Sequence, residues 1–232
     1  MFYMISIMIP TYNEKENITP LVQQLSKLHK SAKIIIVDDD SPDGTGKVAD
    51  ELSKKYNVSV VHRKEKGRGT AGIRGFKEAV KTKADFIIEM DADFSHDPKY
   101  IQTFLKEIKN SDIIVGSRMV GEGKVIERNG LRNAITFLGG ITTKLILGIK
   151  VKDVQSGYKC YRREVLESLD FDKFISKGYS IGAETLYKAS EKGFSIKEVP
   201  IVFKNRSKGK SKFNTKEMIM FLFNVMRLRL GI

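Results

Sequence analysis

Short, nearly unbroken apolar runs alternate with helix-period stretches through the first half of this chain, and that rhythm limits its fold more than any other feature. The runs "IIIV" (Ile34–Val37) and "FIIEM" (Phe86–Met90) are too short for helices and rich in β-branched residues. Strands that are apolar at successive positions are buried on both faces, as in a parallel sheet covered by helices. Strands are expected at Ile5–Ile9, Lys33–Val37, Val58–Val61, Phe86–Met90 and Asp112–Val115. Helices are expected at Ile18–Leu28, Gly44–Lys55, Ala71–Lys81 and Pro98–Lys109, the last with proline at its first position. Such alternation implies an α/β fold, a mostly parallel sheet flanked by helices.

After residue 118 the rhythm changes. A basic, glycine-bearing loop (Val120–Arg132) precedes an apolar helical stretch, Ala134–Leu147. Then come the strand-like "QSGYKCYRR", a helix at Gly182–Lys192, a strand at Ser195–Phe203, a basic loop and a final helix, Met218–Leu230. No Pro/Ser-rich linker divides the 232 residues, so one domain is expected over 1–232, its second half (119–232) building onto the first (1–118). A single cysteine, Cys160, excludes an internal disulfide and a cysteine-built zinc site.

Ligands of open parallel sheets bind beyond the carboxyl ends of the strands. Here those ends deliver "PTYNE" (Pro10–Glu14), "DDDSPDGT" (Asp38–Thr45), "DADFSHDP" (Asp91–Pro98) and "GSR" (Gly116–Arg118). Each alone reads as a turn or a helix cap. Together they gather carboxylates at one edge of a chain whose net charge is +13. Converging carboxylates repel unless a cation neutralises them, and hard oxygen donors suit Mg²⁺ or Mn²⁺ completed by substrate phosphates. The positive charge itself fits phosphates, nucleic acid, an anionic membrane or simply a solvated lysine-rich surface.

A competing signal is "GRGTAG" (Gly67–Gly72), which spells the GxGxxG of dinucleotide-binding folds and follows the strand "VSVVH". Its geometry is wrong for that use. Five residues, His62 to Lys66, separate Val61 from Gly67, whereas a dinucleotide loop leaves its strand almost directly. Asp91, placed where a ribose acid would stand, belongs to a pair with Asp93 that a metal explains better. The loop is expected instead to let the backbone bend close to the ligand.

In this order the four strand-end motifs resemble the nucleotide-sugar domain of inverting family 2 glycosyltransferases, which have the GT-A fold. "KGRGTAGIRGF", "QSGYKCYRREVL", "SKGYSIGAE" and "EVPIVFKNRSKGKSK" further resemble dolichyl-phosphate mannose synthases, including their short form without transmembrane helices. The likeness runs from about Ile5 to Phe223. It implies mannose transfer from GDP-mannose to dolichyl or another polyprenyl phosphate, with residues 1–118 as the donor half and 119–232 as the acceptor and membrane half. By motif, Pro10, Tyr12, Glu14, Val37 and Asp39 would line the nucleoside. Asp91, Ala92 and Asp93 would carry the metal and diphosphate, with Ser95 where some relatives place a glutamine ligand. Arg118 and Arg132 would meet the acceptor phosphate, Arg206 and Lys212 would close over the phosphates, and Glu184 would face the acceptor side. UDP-glucose or a UDP-N-acetylhexosamine is the alternative donor.

The acceptor chemistry agrees with this pattern. A hydroxyl needs a general base, but a phosphate monoester is already ionised at neutral pH and needs cations to hold it. Arg118, Arg128, Arg132, Arg206 and Lys212 supply cations in loops expected at the site, and Asp93, Arg118 and Arg132 are the expected catalytic set.

A bilayer-bound acceptor demands membrane contact. Six Lys and Arg and no acid lie between Lys204 and Lys216. The helix after them has Lys216, Glu217, Asn224 and Arg227 on one side, the pattern of an amphipathic interfacial helix. Its length, roughly 20 Å, is short of the ~30 Å hydrocarbon core. Ala134–Leu147 is a second candidate, with core packing the alternative for both. The N-terminus "MFYMISIMIP" lacks the basic region of a signal peptide, so a peripheral protein on the cytoplasmic face of a membrane is expected. Nucleic acid is not an expected partner, because the acidic edge would repel its backbone.

Overall fold

A computed structural model describes residues 3–126, 130–178, 180–204 and 215–231; for 130–138 and 215–218 it describes the backbone alone. The first half is β1 (Ile5–Thr11), α1 (Lys15–Leu28), β2 (Lys33–Asp38), α2 (Thr45–Ser53), β3 (Val58–His62), α3 (Arg68–Lys81), β4 (Phe86–Glu89), α4 (Tyr100–Glu107) and β5 (Ile113–Ser117). It continues with β6 (Lys124–Ile126), α5 (Gly130–Leu147), β7 (Lys159–Arg162), α6 (Arg163–Glu167), α7 (Ile181–Glu191), β8 (Ile196–Pro200), β9 (Val202–Lys204) and α8 (Thr215–Leu230).

Seven strands form one sheet in the order β3-β2-β1-β4-β7-β5-β8. All pairs are parallel except those of β7, which runs antiparallel between β4 and β5. Successive strand residues enter opposite core layers. Ile34 and Ile36 pack with α1, α2 and α4, while Ile35 and Val37 pack with α3, α6 and α7. That two-sided burial is the physical reason for the unbroken apolar runs.

Three expectations need correcting. The stretch Ser195–Phe203 is two strands, not one: β8 pairs with β5, and β9 leaves the sheet to pair with β6. The basic loop Val120–Arg132 contains β6 and the start of α5. The third helix begins at Arg68, inside "GRGTAG", rather than at Ala71.

The first two glycines of that motif have local duties. Gly67 has φ +153°, in the region that favours glycine, and its amide donates to Asp39 Oδ2 (2.9 Å). A Cβ at Gly69 would stand 2.6 Å from the carbonyl oxygen of Gly178. Gly69 N donates to Lys177 O (3.2 Å), so glycine lets the second half of the chain close against α3.

Candidate active site

The carboxyl edge of the sheet is a set of tied loops. Thr11 at the end of β1 donates its hydroxyl to Asp38 Oδ1 (2.9 Å) at the end of β2. Ser41 N donates to the other oxygen of Asp38 (3.0 Å), and Glu14 N to Thr45 Oγ1 (2.9 Å). Left-handed backbone at non-glycine residues among the described residues occurs at Asn13, Asp40, Phe94 and Lys83, and three of these lie in the strand-end loops. Such conformations persist where surrounding bonds hold them, and they concentrate at functional sites.

Asp39 accepts from Arg63 Nη1 (2.6 Å) and Gly67 N (2.9 Å). Burial raises its carboxyl above the usual carboxylate range, against the Gly67 amide and Arg63, which pull it down. Asp39 therefore binds the β2 loop to the start of α3 as well as bordering the ligand space.

After β4, Asp93 is buried and Asp91 is 35% exposed. Ser95 lies behind Asp93 and donates both its amide (3.1 Å) and its hydroxyl to Asp93 Oδ1. His96 is buried and stacks on Tyr158 at 4.9 Å, and its Nδ1 accepts from Asp91 N (3.0 Å). Burial pushes the His96 imidazole down, which keeps it neutral and fixes the Asp91 backbone. Arg68 reaches the same place from α3, its Nη2 donating to Asp91 Oδ1 (3.1 Å) and Glu89 Oε1 (3.0 Å).

Arg118, after β5, is held differently. Its Nε and Nη2 donate to both oxygens of Asp153 (2.7 and 2.6 Å), and its backbone N adds a third bond (2.9 Å). The guanidinium also lies over the Phe203 ring at 5.3 Å. Glu184 is fully buried on α7 and accepts from the amides of Ile175 (3.0 Å) and Ser176 (2.8 Å).

A cavity of about 710 Å³ opens at this edge. Pro10, Tyr12, Glu14, Asp39, Asp91, Ala92 and Asp93 all line it. Val37, Ser95, Arg118 and Glu184 stand behind or beside that lining: Val37 is core, Ser95 orients Asp93, Arg118 grips Asp153, and Glu184 holds the Ile175–Ser176 segment. Arg132 is on α5 with its side chain outside the described set, while Arg128, Arg206 and Lys212 lie outside the described residues.

Sequence reasoning missed the rest of the lining. Lys66, Gly67, Arg68 and Ala71 come from "KGRGTAG", the loop expected to bring its backbone close to the ligand, though none of these side chains was singled out. The arginine between two glycines of a loop already expected near the ligand was the signal available. On the far side, Met220, Phe223, Asn224 and Arg227 of α8 complete the wall. The polar side expected on α8 is not solvated at Asn224, which is buried and donates to Ser180 Oγ (2.8 Å). An amide tolerates burial once it has such a partner. Ile219, Met220, Phe223, Met226 and Leu230 are instead exposed apolar residues of that helix, beside Ile141 and Leu145 of α5, which packs against it.

Among the described residues no group of three or more His, Cys, Asp or Glu could hold a metal. Two carboxylates facing one cavity nonetheless fit a hard divalent cation that takes its other ligands from substrate phosphates and water. No described helix is long and apolar enough to cross a membrane.

A mostly parallel sheet with carboxylates gathered at its carboxyl edge, and a DAD turn after the fourth strand, is the GT-A glycosyltransferase architecture. Residues 6–170 match glycosyl transferase family 2, and the chain belongs to that family; it is a glycosyltransferase. It is 37% identical over 223 residues to polyprenol monophosphomannose synthase of Mycolicibacterium smegmatis, covering 94% of this chain and 84% of that protein. Identity to undecaprenyl-phosphate mannosyltransferase of Micrococcus luteus is 36% over 208 residues, covering 89% and 86%. Dolichol-phosphate mannosyltransferase of Pyrococcus furiosus is 40% identical over 231 residues, 97% of this chain but 63% of that protein's length. These likenesses bear out the resemblance drawn from the motifs.

Solved structures of glucosyl-3-phosphoglycerate synthase from Mycobacterium tuberculosis share the fold. The complex with Mn²⁺, uridine diphosphate and glucosyl-3-phosphoglycerate superposes with TM-score 0.73 at 20% identity, covering 99% of this chain and 81% of that one. The complex with Mg²⁺ and uridine diphosphate gives TM-score 0.72 at 18% identity, covering 99% and 80%.

Proposed function

We propose that this enzyme transfers mannose, with inversion, from GDP-mannose to dolichyl or another polyprenyl phosphate, giving polyprenyl-phosphate mannose for protein glycosylation. The observation that carries this reading is a single cavity with two chemistries. Carboxylates Asp91 and Asp93 stand on one wall, and on the other Met220 and Phe223 are half exposed on a helix whose apolar face meets solvent. A nucleoside diphosphate sugar suits the first wall, and a lipid-linked phosphate suits the second. The names of the relatives, all mannosyl enzymes of polyprenyl phosphates, support the same pairing.

Asp91 and Asp93 would hold Mg²⁺ or Mn²⁺, which as a Lewis acid would offset charge on the departing nucleoside diphosphate. Ser95 orients Asp93 for that task rather than reaching the cation itself. Pro10, Tyr12 and Glu14 border the nucleoside side of the cavity, and Asp39 fixes the loop beneath it. No general base is required, because the acceptor phosphate is itself the ionised nucleophile. Neutral, buried His96 and the doubly bonded carboxylate of Glu184 are in keeping with that absence. The cations for the acceptor phosphate are assigned to Arg132 and the basic segment around Arg206 and Lys212. Arg118, gripped by Asp153, fixes the end of β5. Contact with the cytoplasmic face of a membrane is assigned to the apolar faces of α5 and α8.

A donor screen tests this. GDP-mannose and UDP-glucose are each incubated with polyprenyl phosphate and Mg²⁺ or Mn²⁺, and lipid-linked sugar is measured. Mannosyl lipid from GDP-mannose alone is expected, and metal chelation abolishes it. Glucosyl lipid from UDP-glucose, with none from GDP-mannose, overturns the donor assignment.

A further inference from the structure

Arg68 lines the cavity and has a buried side-chain donor without a hydrogen-bond partner among the described residues. Its Nη2 is shared between Asp91 Oδ1 (3.1 Å) and Glu89 Oε1 (3.0 Å). Its Nη1 is buried and has no hydrogen-bond partner among the described residues. A buried donor left unpaired costs free energy, so an anion brought within reach of Nη1 would satisfy it.

Glu89 does not need Arg68 for charge balance. It is buried, and Lys159 Nζ stands 3.6 Å from its Oε2, to which Tyr161 also donates (3.3 Å). What Arg68 adds is positive charge on Asp91, a cavity group on the loop after β4. Arg118 shows the contrast, since both oxygens of Asp153 and the Phe203 ring occupy its guanidinium. Arg118 is fully engaged, whereas Arg68 keeps one donor group unpaired.

We infer that Arg68 is a resident counter-charge for Asp91 that yields it to a divalent cation and turns its guanidinium onto the diphosphate of the donor. This rests on the nucleotide-sugar reading above. Two opposite effects on binding follow from it. Arg68 competes with the cation for Asp91 when the donor is absent, and it holds the phosphates when the donor is present. An arginine fork suits two phosphate oxygens, and Nη1 is the donor group waiting for one.

The test is calorimetric and needs no turnover. Mn²⁺ alone, GDP with Mn²⁺ and UDP with Mn²⁺ are titrated into wild type, Arg68→Leu and Arg68→Lys, with thermal unfolding measured alongside. Arg68→Leu is expected to bind Mn²⁺ alone roughly five-fold more tightly, because a like charge has gone. The same variant should bind the nucleoside diphosphate with Mn²⁺ about 10- to 100-fold more weakly. Arg68→Lys keeps the charge without the fork, so its Mn²⁺ affinity should stay near wild type while part of the nucleotide affinity is lost. If both affinities of Arg68→Leu are unchanged, or both fall together, Arg68 is a structural residue and the inference is overturned. Should wild type bind UDP and not GDP, the guanosine donor fails while the opposing shifts still decide the role of Arg68. A wild type that binds neither nucleotide with Mn²⁺ sinks both.

Discussion

The two walls of the cavity are made of different material. Along the strand ends, Asp39, Asp91 and Asp93 are fixed by loops that bond to one another, and most of their surroundings are buried. Across the cavity, α8 is buried through Phe221, Val225 and Leu228 while Phe223 is 56% exposed and Leu230 is 63% exposed. The first wall holds charged groups in set positions, which suits stabilising charge as it develops. The second keeps large apolar side chains in water, a cost a folded protein usually avoids unless the patch meets an apolar partner. Fixed charge belongs to the strand-end wall, and exposed apolar surface to the helical one.

The largest expected effect tests the rigid wall. Asp93→Ala should lower transfer by about 10³-fold or more, since it removes one of two oxygen donors for a cation worth several kcal/mol in the transition state. Folding should persist, which a thermal melt would verify. Turnover near wild type would show that this wall does not carry the metal.

A smaller effect should come from behind the second wall. Glu184→Ala leaves the amides of Ile175 and Ser176 without their acceptor and Lys188 without its 3.5 Å partner. Stability should drop by about 3 kcal/mol in urea denaturation, from two charge-assisted bonds lost in a buried place. Transfer at a temperature where the variant is folded should remain measurable. Loss of about 10⁴-fold in the folded variant, with donor and acceptor still bound, would make Glu184 a base and point to a hydroxyl acceptor.

The smallest effect on stability comes from the exposed apolar part of the second wall. Phe223→Asp changes a half-exposed side chain, so stability should move by no more than about 0.5 kcal/mol. Sedimentation with anionic vesicles should weaken by roughly ten-fold, the loss expected for one partly inserted aromatic ring. Unchanged vesicle binding would mean that this face meets a protein rather than a lipid surface.

Much of the rigid wall was legible in the sequence because its parts are local. Apolar runs mark strands, the loops follow directly, and Pro10, Tyr12, Glu14, Asp39, Asp91, Ala92 and Asp93 all reach the cavity from short strand-end motifs. What was not legible depends on pairing across long stretches of chain. Asp153 is 35 residues from Arg118 and sits in no motif, so the grip that occupies Arg118 could not be read. β6 has three residues and acquires meaning only from β9, which made one strand look continuous where there are two. Arg68 was hidden by its own motif: the glycines of "GRGTAG" pointed to a close approach of the backbone, and the side chain between them was not singled out. α8 misled through periodicity, because apolar residues lie on both its buried and its exposed sides.

The antiparallel strand β7 sets the order in which the protein can be made. Cys160 at its centre is paired with Ile88 of β4 on one side and Ile114 of β5 on the other. During synthesis β4 and β5 are made before residue 159 exists, so the strand that joins them is not yet available to either. Until it arrives, each presents an unpaired edge of the kind that invites wrong partners. The first 118 residues hold the strand-end carboxylates and yet have no means of finishing their own sheet.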